Sequence, residues 1–424
     1  MTVSAILILR CEPPAMHQHR PEASLEGRSV RAAGPSPIDA IHPELRMTRA
    51  LSDLDLQLAE LLGAAGFARS EPSLLIAADL VRDLVGEALA RRLFLTSDAD
   101  GNELCLRPDY TIPVVQAHLE GPRAGEAAAY SYLGPVFRHR PGMAGEFNQA
   151  GIELLGRTDR EAAEAEVVAL ALKGARLYTD GPLSLAIGDV SIFMALVAAL
   201  GLPPAWRRRL AKDFRRSGML EGDLKRLAEP ARTGPTHSGL LAALEGSDPQ
   251  AARALVADLL SIAGITTGGG RSAADVAERF LEQAALGTGG LSPGKVAVVE
   301  KLLAIDTDAA SAEAQIRDLA AGAGLDMGEA IDRLARRSRL LASAGIDLAA
   351  ARFSTRFGRD VDYYTGLVFE IHDGSGRESR PLVGGGRYDR LTDMMTAKLG
   401  LDLRVPAVGC AFWVERLAVA GGRA

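Results

Sequence analysis

Residues 130–138 and 147–155 form two apolar runs separated by a loop that contains Pro141 and Gly142. Strand-length segments joined by so short a turn favour an antiparallel pair, since a parallel return needs a crossover of a dozen residues or more. A further extended segment, Glu103–Leu106, follows turn residues Gly101 and Asn102, and strand alternation returns at 363–372 and 407–414. A largely antiparallel sheet is expected.

Around that sheet the pattern is helical. Leu51, Leu54, Leu58, Leu61 and Leu62 fall at helical spacing after Met47, with Gly66 placed to end the helix. Residues 67–75 look extended, and Pro72 suits an edge. Thr158 and Glu161 are spaced as a capping box for a helix reaching about Tyr178. Residues from about 202 to 346 are rich in Ala and Leu, with glycine-rich breaks at 266–270 and 287–294, and read as a helical insertion. Residues 1–46 show no sustained apolar period and are expected to be disordered or an over-extended gene start, which leaves 47–424 as the core.

Composition narrows the function. With 48 basic against 54 acidic residues the net charge is −6, a poor match to a protein that coats nucleic acid by bulk charge. No run approaches the roughly 20 apolar residues that cross a bilayer, so no membrane partner is expected. Cys11, Cys105 and Cys410 are too scattered for a disulfide framework or a zinc site and read as thiols of a reducing cytoplasm. The seven histidines lack metal-ligand spacing, and no cofactor is expected.

Three segments place polar residues on one side of an otherwise apolar strand. Arg107, Asp109 and Thr111 share a parity opposite Leu104 and Leu106. Gln149, Gly151 and Glu153 share a face, with Ile152 and Leu154 on the other; Asp362, Tyr364 and Glu370 alternate with Tyr363, Leu367, Phe369 and Ile371. Asp109 and Glu153 suit an ammonium and Arg138 a carboxylate, a set that fits a free amino acid. Mutually paired residues on a half-exposed sheet would show the same alternation. The glycines at 384–386 lack P-loop spacing and fit close backbone packing beside a ligand.

At these residues the chain resembles the catalytic core of histidyl-tRNA synthetases. Leu106, Arg107, Pro108, Asp109, Tyr110 and Thr111 look like the strand that opens their amino-acid pocket. Residues 132–140 with Asn148, Gln149, Ala150, Gly151, Ile152 and Glu153 are similar to class II motif 2. Residues 359–366, containing Asp362, Tyr363 and Tyr364, and residues 385–389, Gly-Gly-Arg-Tyr-Asp, resemble the two histidine-specific segments. Residues 406–417 resemble motif 3. The resemblance implies an α+β fold: a class II aminoacyl-tRNA synthetase-like antiparallel sheet with flanking helices. It also implies a histidine pocket lined by Asp109, Thr111, Arg138, Gln149 and Glu153 and closed by Arg359, Tyr363 and Tyr364. The helix from Met47 and the segment near Pro72 fill the place of the family's dimer contact.

Departures from the synthetase pattern point to one group of its paralogues. Eight residues follow Arg416, so no C-terminal anticodon-binding domain is expected and tRNA is not an expected partner. The loop containing residues 141–145 lacks the arginine with which synthetases meet ATP, and Trp413 stands where they carry a glycine beside the adenine. These losses resemble the regulatory subunits of ATP phosphoribosyltransferase. Such subunits have no catalysis of their own, pair with a short-form catalytic subunit, and confer histidine feedback. Arg359 matches an activation residue of the synthetases, which keeps a divergent histidine-activating enzyme or truncated synthetase as the alternative. Deleting residues 1–46 is expected to leave folding unchanged. A melting temperature several degrees lower would contradict this, since roughly 1 kcal/mol moves a domain of 150–250 residues by about 2–4 °C.

Overall fold

The structure, a computed structural model, describes residues 50–214, 217–228, 291–357 and 363–423. Residues 1–46, the middle of the expected insertion at 229–290, and Arg359 and Asp362 lie outside the described residues.

Helix α1 (Asp53–Ala64) begins at a capping box: the Ser52 hydroxyl accepts from the Asp55 amide, and the Asp55 carboxylate accepts from the Ser52 amide at 2.7 Å. The cap moves the helix start beyond Met47 and leaves Leu51 exposed outside it. Leu58 and Leu62 enter the core one helical turn apart. Then follow β1 (Ala68–Arg69), β2 (Leu75–Ala77), β3 (Leu95–Ser97), β4 (Glu103–Leu106) and α2 (Thr111–Leu119). Next come β5 (Ala128–Phe137), β6 (Glu146–Leu155), α3 (Arg160–Arg176) and β7 (Leu183–Asp189). The stretch expected as an insertion supplies helices Pro204–Asp213, Ser217–Ala228, Pro293–Leu303 and Ala312–Gly322, together with β8 (Asp306–Asp308) and α4 (Gly328–Ser343). The chain closes with β9 (Arg352–Ser354), β10 (Leu367–Asp373), β11 (Val383–Arg387), α5 (Asp389–Lys398), β12 (Ala407–Trp413) and α6 (Val414–Ala420).

Nine strands form the main sheet in the order β1-β5-β6-β12-β11-β10-β7-β9-β8. Only β1 with β5 and β7 with β9 run parallel, so the antiparallel expectation holds through the centre. Strands β2, β4 and β3 make a separate small sheet. The insertion is therefore not purely helical: β8 extends the edge of the main sheet, and α4 packs along α3.

Three local expectations need correction. Strand β4 ends at Leu106, and Thr111 is the first residue of α2, so Arg107, Asp109 and Thr111 do not share a strand face. Pro108 has no amide to extend the ladder, and Asp109 instead accepts from the Ile112 amide at 3.2 Å. Strand β10 starts at Leu367 rather than Tyr363, because the Thr365 amide turns to the Arg387 carbonyl at 2.9 Å. The Thr158–Glu161 capping box does not form. Asp159 is the N-cap of α3 without a side-chain cap bond; its carboxylate binds Arg157 at 2.6 Å, and Glu161 faces Arg336 at 3.6 Å.

Helix α3 lies across the centre of the sheet, burying Val167, Val168, Ala171 and Ala175. Its closest approach is at Gly174, where an added Cβ would sit 2.6 Å from the Phe412 ring of β12 and 2.8 Å from Leu58. A larger residue there overpacks a full core. Gly174→Val is expected to destabilise the fold by about 1–3 kcal/mol, read as a lower urea midpoint with unchanged m-value.

Candidate functional site

The opposite face of the sheet holds a cavity of about 80 Å³. Clefts for drug-sized ligands run to ~300–1,000 Å³, so this one suits a single small molecule. Its floor comes from strand register: Glu153 pairs with Gly409, Gly151 with Ala411 and Gln149 with Trp413 across β6 and β12, and Gly384 follows on β11 opposite Ala411. Alternation sends these residues to one face and Ile152, Leu154 and Phe412 to the other. Small residues here make room for a deep carboxyl; a Cβ on Gly409 would lie 1.8 Å from Glu153 Oε2.

Glu153 is 1% exposed, which disposes of the half-exposed-sheet reading for this strand. Three hydroxyls donate to it: Thr111 at 2.7 Å, Tyr132 at 3.2 Å and Tyr388. Burial pushes its carboxyl up to about 8, against the pull of these donors, and Asp109 adds a like charge. Asp109 is also buried and also raised by desolvation, opposed by the nearby Arg138 guanidinium. Arg138 sits just past the end of β5, with Nε held by the Pro108 carbonyl at 2.6 Å. Gln149 is 2% exposed, and its Oε1 finds no hydrogen-bond partner among the described residues. A buried acceptor left open beside a cavity is a place for a ligand donor.

Of the eight residues expected to line the site, Asp109, Thr111, Arg138, Gln149, Glu153, Tyr363 and Tyr364 all line this cavity. Arg359 lies outside the described residues. Arg107 points elsewhere: it binds the Pro135 and Pro72 carbonyls at 3.0 and 2.7 Å and the Tyr110 hydroxyl at 2.5 Å. Tyr110 in turn stacks on Tyr132, with ring centroids 4.4 Å apart, so Arg107 braces the wall behind the site. Tyr132, Tyr388 and Gly409 also meet at Glu153, although their spacing in the sequence assigns them no role in the pocket. Tyr132 has the parity that puts it opposite Gly151, but which strand lies beside it is a tertiary fact.

Trp413 ends β12 and lines two cavities at once. The second, of about 370 Å³, is walled by Arg140, Phe147, Asn148, Arg380, Glu415 and Arg416. The Arg416 guanidinium covers the indole at 4.5 Å, and Arg140 covers Phe147 at 3.9 Å. Burial and the neighbouring Arg380 charge lower Arg416 to about 10. The indole thus stands between the small polar cavity and a larger cationic one. Among the described residues no helix is long and apolar enough to cross a membrane, and no cluster of His, Cys, Asp or Glu is arranged to hold a metal.

This sheet and pocket define a class II, histidyl-tRNA synthetase-like core. The family model described as histidyl-tRNA synthetase matches residues 43–267 and 255–417. Among solved structures, one described as an ATP phosphoribosyltransferase regulatory subunit/histidyl-tRNA synthetase from Bacillus halodurans C aligns with a TM-score of 0.58 at 21% identity, covering 87% of this chain and 78% of that one. A histidine–tRNA ligase subunit from Alicyclobacillus acidocaldarius aligns with a TM-score of 0.53 at 20% identity, covering 92% and 98%. At these identities the likeness concerns the fold. Sequence relatives are nearer: an ATP phosphoribosyltransferase regulatory subunit from Mesorhizobium japonicum is 39% identical over 372 residues, 88% of this chain and 98% of its own. One from Brucella canis is 39% identical over 347 residues, covering 81% and 91%. The chain belongs to the family of ATP phosphoribosyltransferase regulatory subunits.

The raised Glu153 carboxyl has a consequence for stability. Between its ordinary 4.5 and about 8 the folded state keeps a proton that the unfolded state has lost. Stability therefore falls as pH rises through that window, by at most about 1.4 kcal/mol per pH unit from this group. Glu153→Gln is expected to flatten the fall, measured by urea unfolding at intervals from pH 5 to 8. Parallel curves for the two proteins would place the proton elsewhere.

Proposed function

We propose that the chain is the regulatory subunit of an ATP phosphoribosyltransferase. In this reading it works in the cytoplasm without catalysis of its own, bound to a short-form catalytic subunit, and makes the first step of histidine biosynthesis responsive to histidine. The observation that carries the reading is the pairing of a small polar pocket with the Trp413 indole beside it. Asp109 and Glu153 offer carboxylates for an ammonium, Arg138 a guanidinium for a carboxylate, and Tyr364 a ring wall for the imidazole. Trp413, with Arg416 over its face, occupies room that a glycine would leave open, which supports a binding role over adenylation. Self-association through α1 and the segment after Pro72 belongs to the same proposal, supported by the exposed side chains of Leu56, Leu74 and Leu75.

Histidine-dependent exchange of pyrophosphate into ATP tests the claim against the activating-enzyme alternative. No exchange by the purified chain, and co-purification with a short catalytic subunit, are expected; robust exchange by the chain alone would sink the reading. Within the reconstituted complex, Glu153→Gln exchanges a charge-assisted bond of about 1.5–3 kcal/mol for a neutral one of about 1. Histidine affinity is expected to fall roughly 3- to 30-fold by calorimetry, with uninhibited activity little altered. An unchanged inhibition curve would put the regulatory histidine outside this pocket.

A further inference from the structure

A buried cluster of four charges lies on the face of the sheet away from the pocket. Arg387 comes from β11, Glu164 from α3, Arg337 from α4 and Asp189 from the end of β7, and each is at most 3% exposed. Arg337 donates from Nε to Glu164 Oε2 at 2.5 Å and from Nη1 to Asp189 Oδ2 at 2.7 Å. The other Glu164 oxygen accepts from Arg387 Nε. Arg387 also reaches Asp389 at 3.1 Å and the Arg160 carbonyl at 3.0 Å. Asp189 caps the helix Val190–Ala199 through the Ser191 amide at 2.8 Å.

Buried ion pairs give little net stability over apolar packing, so a fully satisfied cluster of this kind calls for another role. Its position supplies one. Arg387 and Tyr388 are consecutive, and they serve opposite faces: Arg387 is fixed from below by Glu164, and the Tyr388 hydroxyl donates to Glu153 in the pocket above. A packed core passes a shift of either residue on to the other rather than absorbing it. We infer that Arg387 is a positioning residue for the pocket, held through Glu164 by Arg337, and that occupancy of the pocket is thereby coupled to the seating of helix α4. The choice of histidine as ligand rests on the proposed function; the coupling does not. Coupling of this kind is reciprocal: what steadies α4 tightens the ligand, and the ligand steadies α4.

Arg337→Lys tests it. The lysine keeps the buried charge but loses the planar fork that spans Glu164 and Asp189. Hydrogen–deuterium exchange over residues 328–343 is expected to slow several-fold with L-histidine in the wild type and not in this variant. Histidine affinity is expected to drop about 3- to 10-fold. Arg333→Lys, on the same helix but paired with the exposed Glu329, is expected to behave as wild type. A second readout needs no ligand. Glu153 is faced by Asp109, by the Tyr132 and Tyr388 hydroxyls and by Thr111; loosening Tyr388 removes a donor to the carboxylate. The pH window that separates wild type from Glu153→Gln is then expected to extend upward in the Arg337→Lys background. Should histidine fail to bind the wild type, the ligand assignment fails and this window alone judges the coupling. If Arg337→Lys does not fold, Arg387→Lys carries the same two readouts from the other end of the cluster. Exchange, affinity and pH window all matching wild type in the variant would overturn the inference and leave a structural ion cluster.

Discussion

A carboxyl sealed from water at the centre of a sheet is the constraint around which this molecule is arranged. Glu153 is almost wholly removed from bulk solvent, so it needs donors, and three hydroxyls from three separate elements supply them. It also needs space, which Gly409 gives by having no Cβ. Burial pushes the carboxyl up to about 8 in the empty pocket. A cationic ligand beside it would favour the ionised form and pull that value down again. Asp109, raised by its own burial and balanced by Arg138, extends the same logic toward the rim.

The second determinant is the Trp413 ring at the end of β12. Trp413 divides the polar cavity from a wider one lined by three arginines, and the Arg416 guanidinium sits 4.5 Å from the centre of its ring. A ring clamped by a cation on one side and packed on sheet residues on the other is not readily displaced. The small polar pocket and the wider cationic cavity of about 370 Å³ are thus kept as separate spaces on either side of the ring.

Much of the site was legible because alternation on β6 is a local property. Gln149, Gly151 and Glu153 had to share a face once the segment was extended, and they do. Asp109 and Thr111 reached the same cavity by a different route from the one their spacing implied: Pro108 breaks the strand, and Thr111 enters from the first turn of a helix. Parity grouped residues that do line one cavity, but through a different geometry from the shared strand face it implied. It also promoted Arg107, which the fold uses to brace Tyr110. The Thr158–Glu161 spacing misled in a similar way, since the helix takes Asp159, one residue further on, as its N-cap, and Glu161 turns to Arg336.

What the sequence by itself determined was the antiparallel meander, the helical character of the surrounding segments and the identity of the chemistry-bearing side chains. Each of these follows from periodicity and turn residues within a few positions of one another. Only the tertiary structure decided that Gly409 lies against Glu153, that Tyr132 and Tyr388 converge on it, and that Arg337 and Arg387 meet on Glu164 from segments more than a hundred residues away. Strand order, sheet register and the packing of α4 on α3 are set by how distant surfaces fit and exclude water. No local pattern carries that information, because the free energy that selects it exists only once the surfaces are in contact.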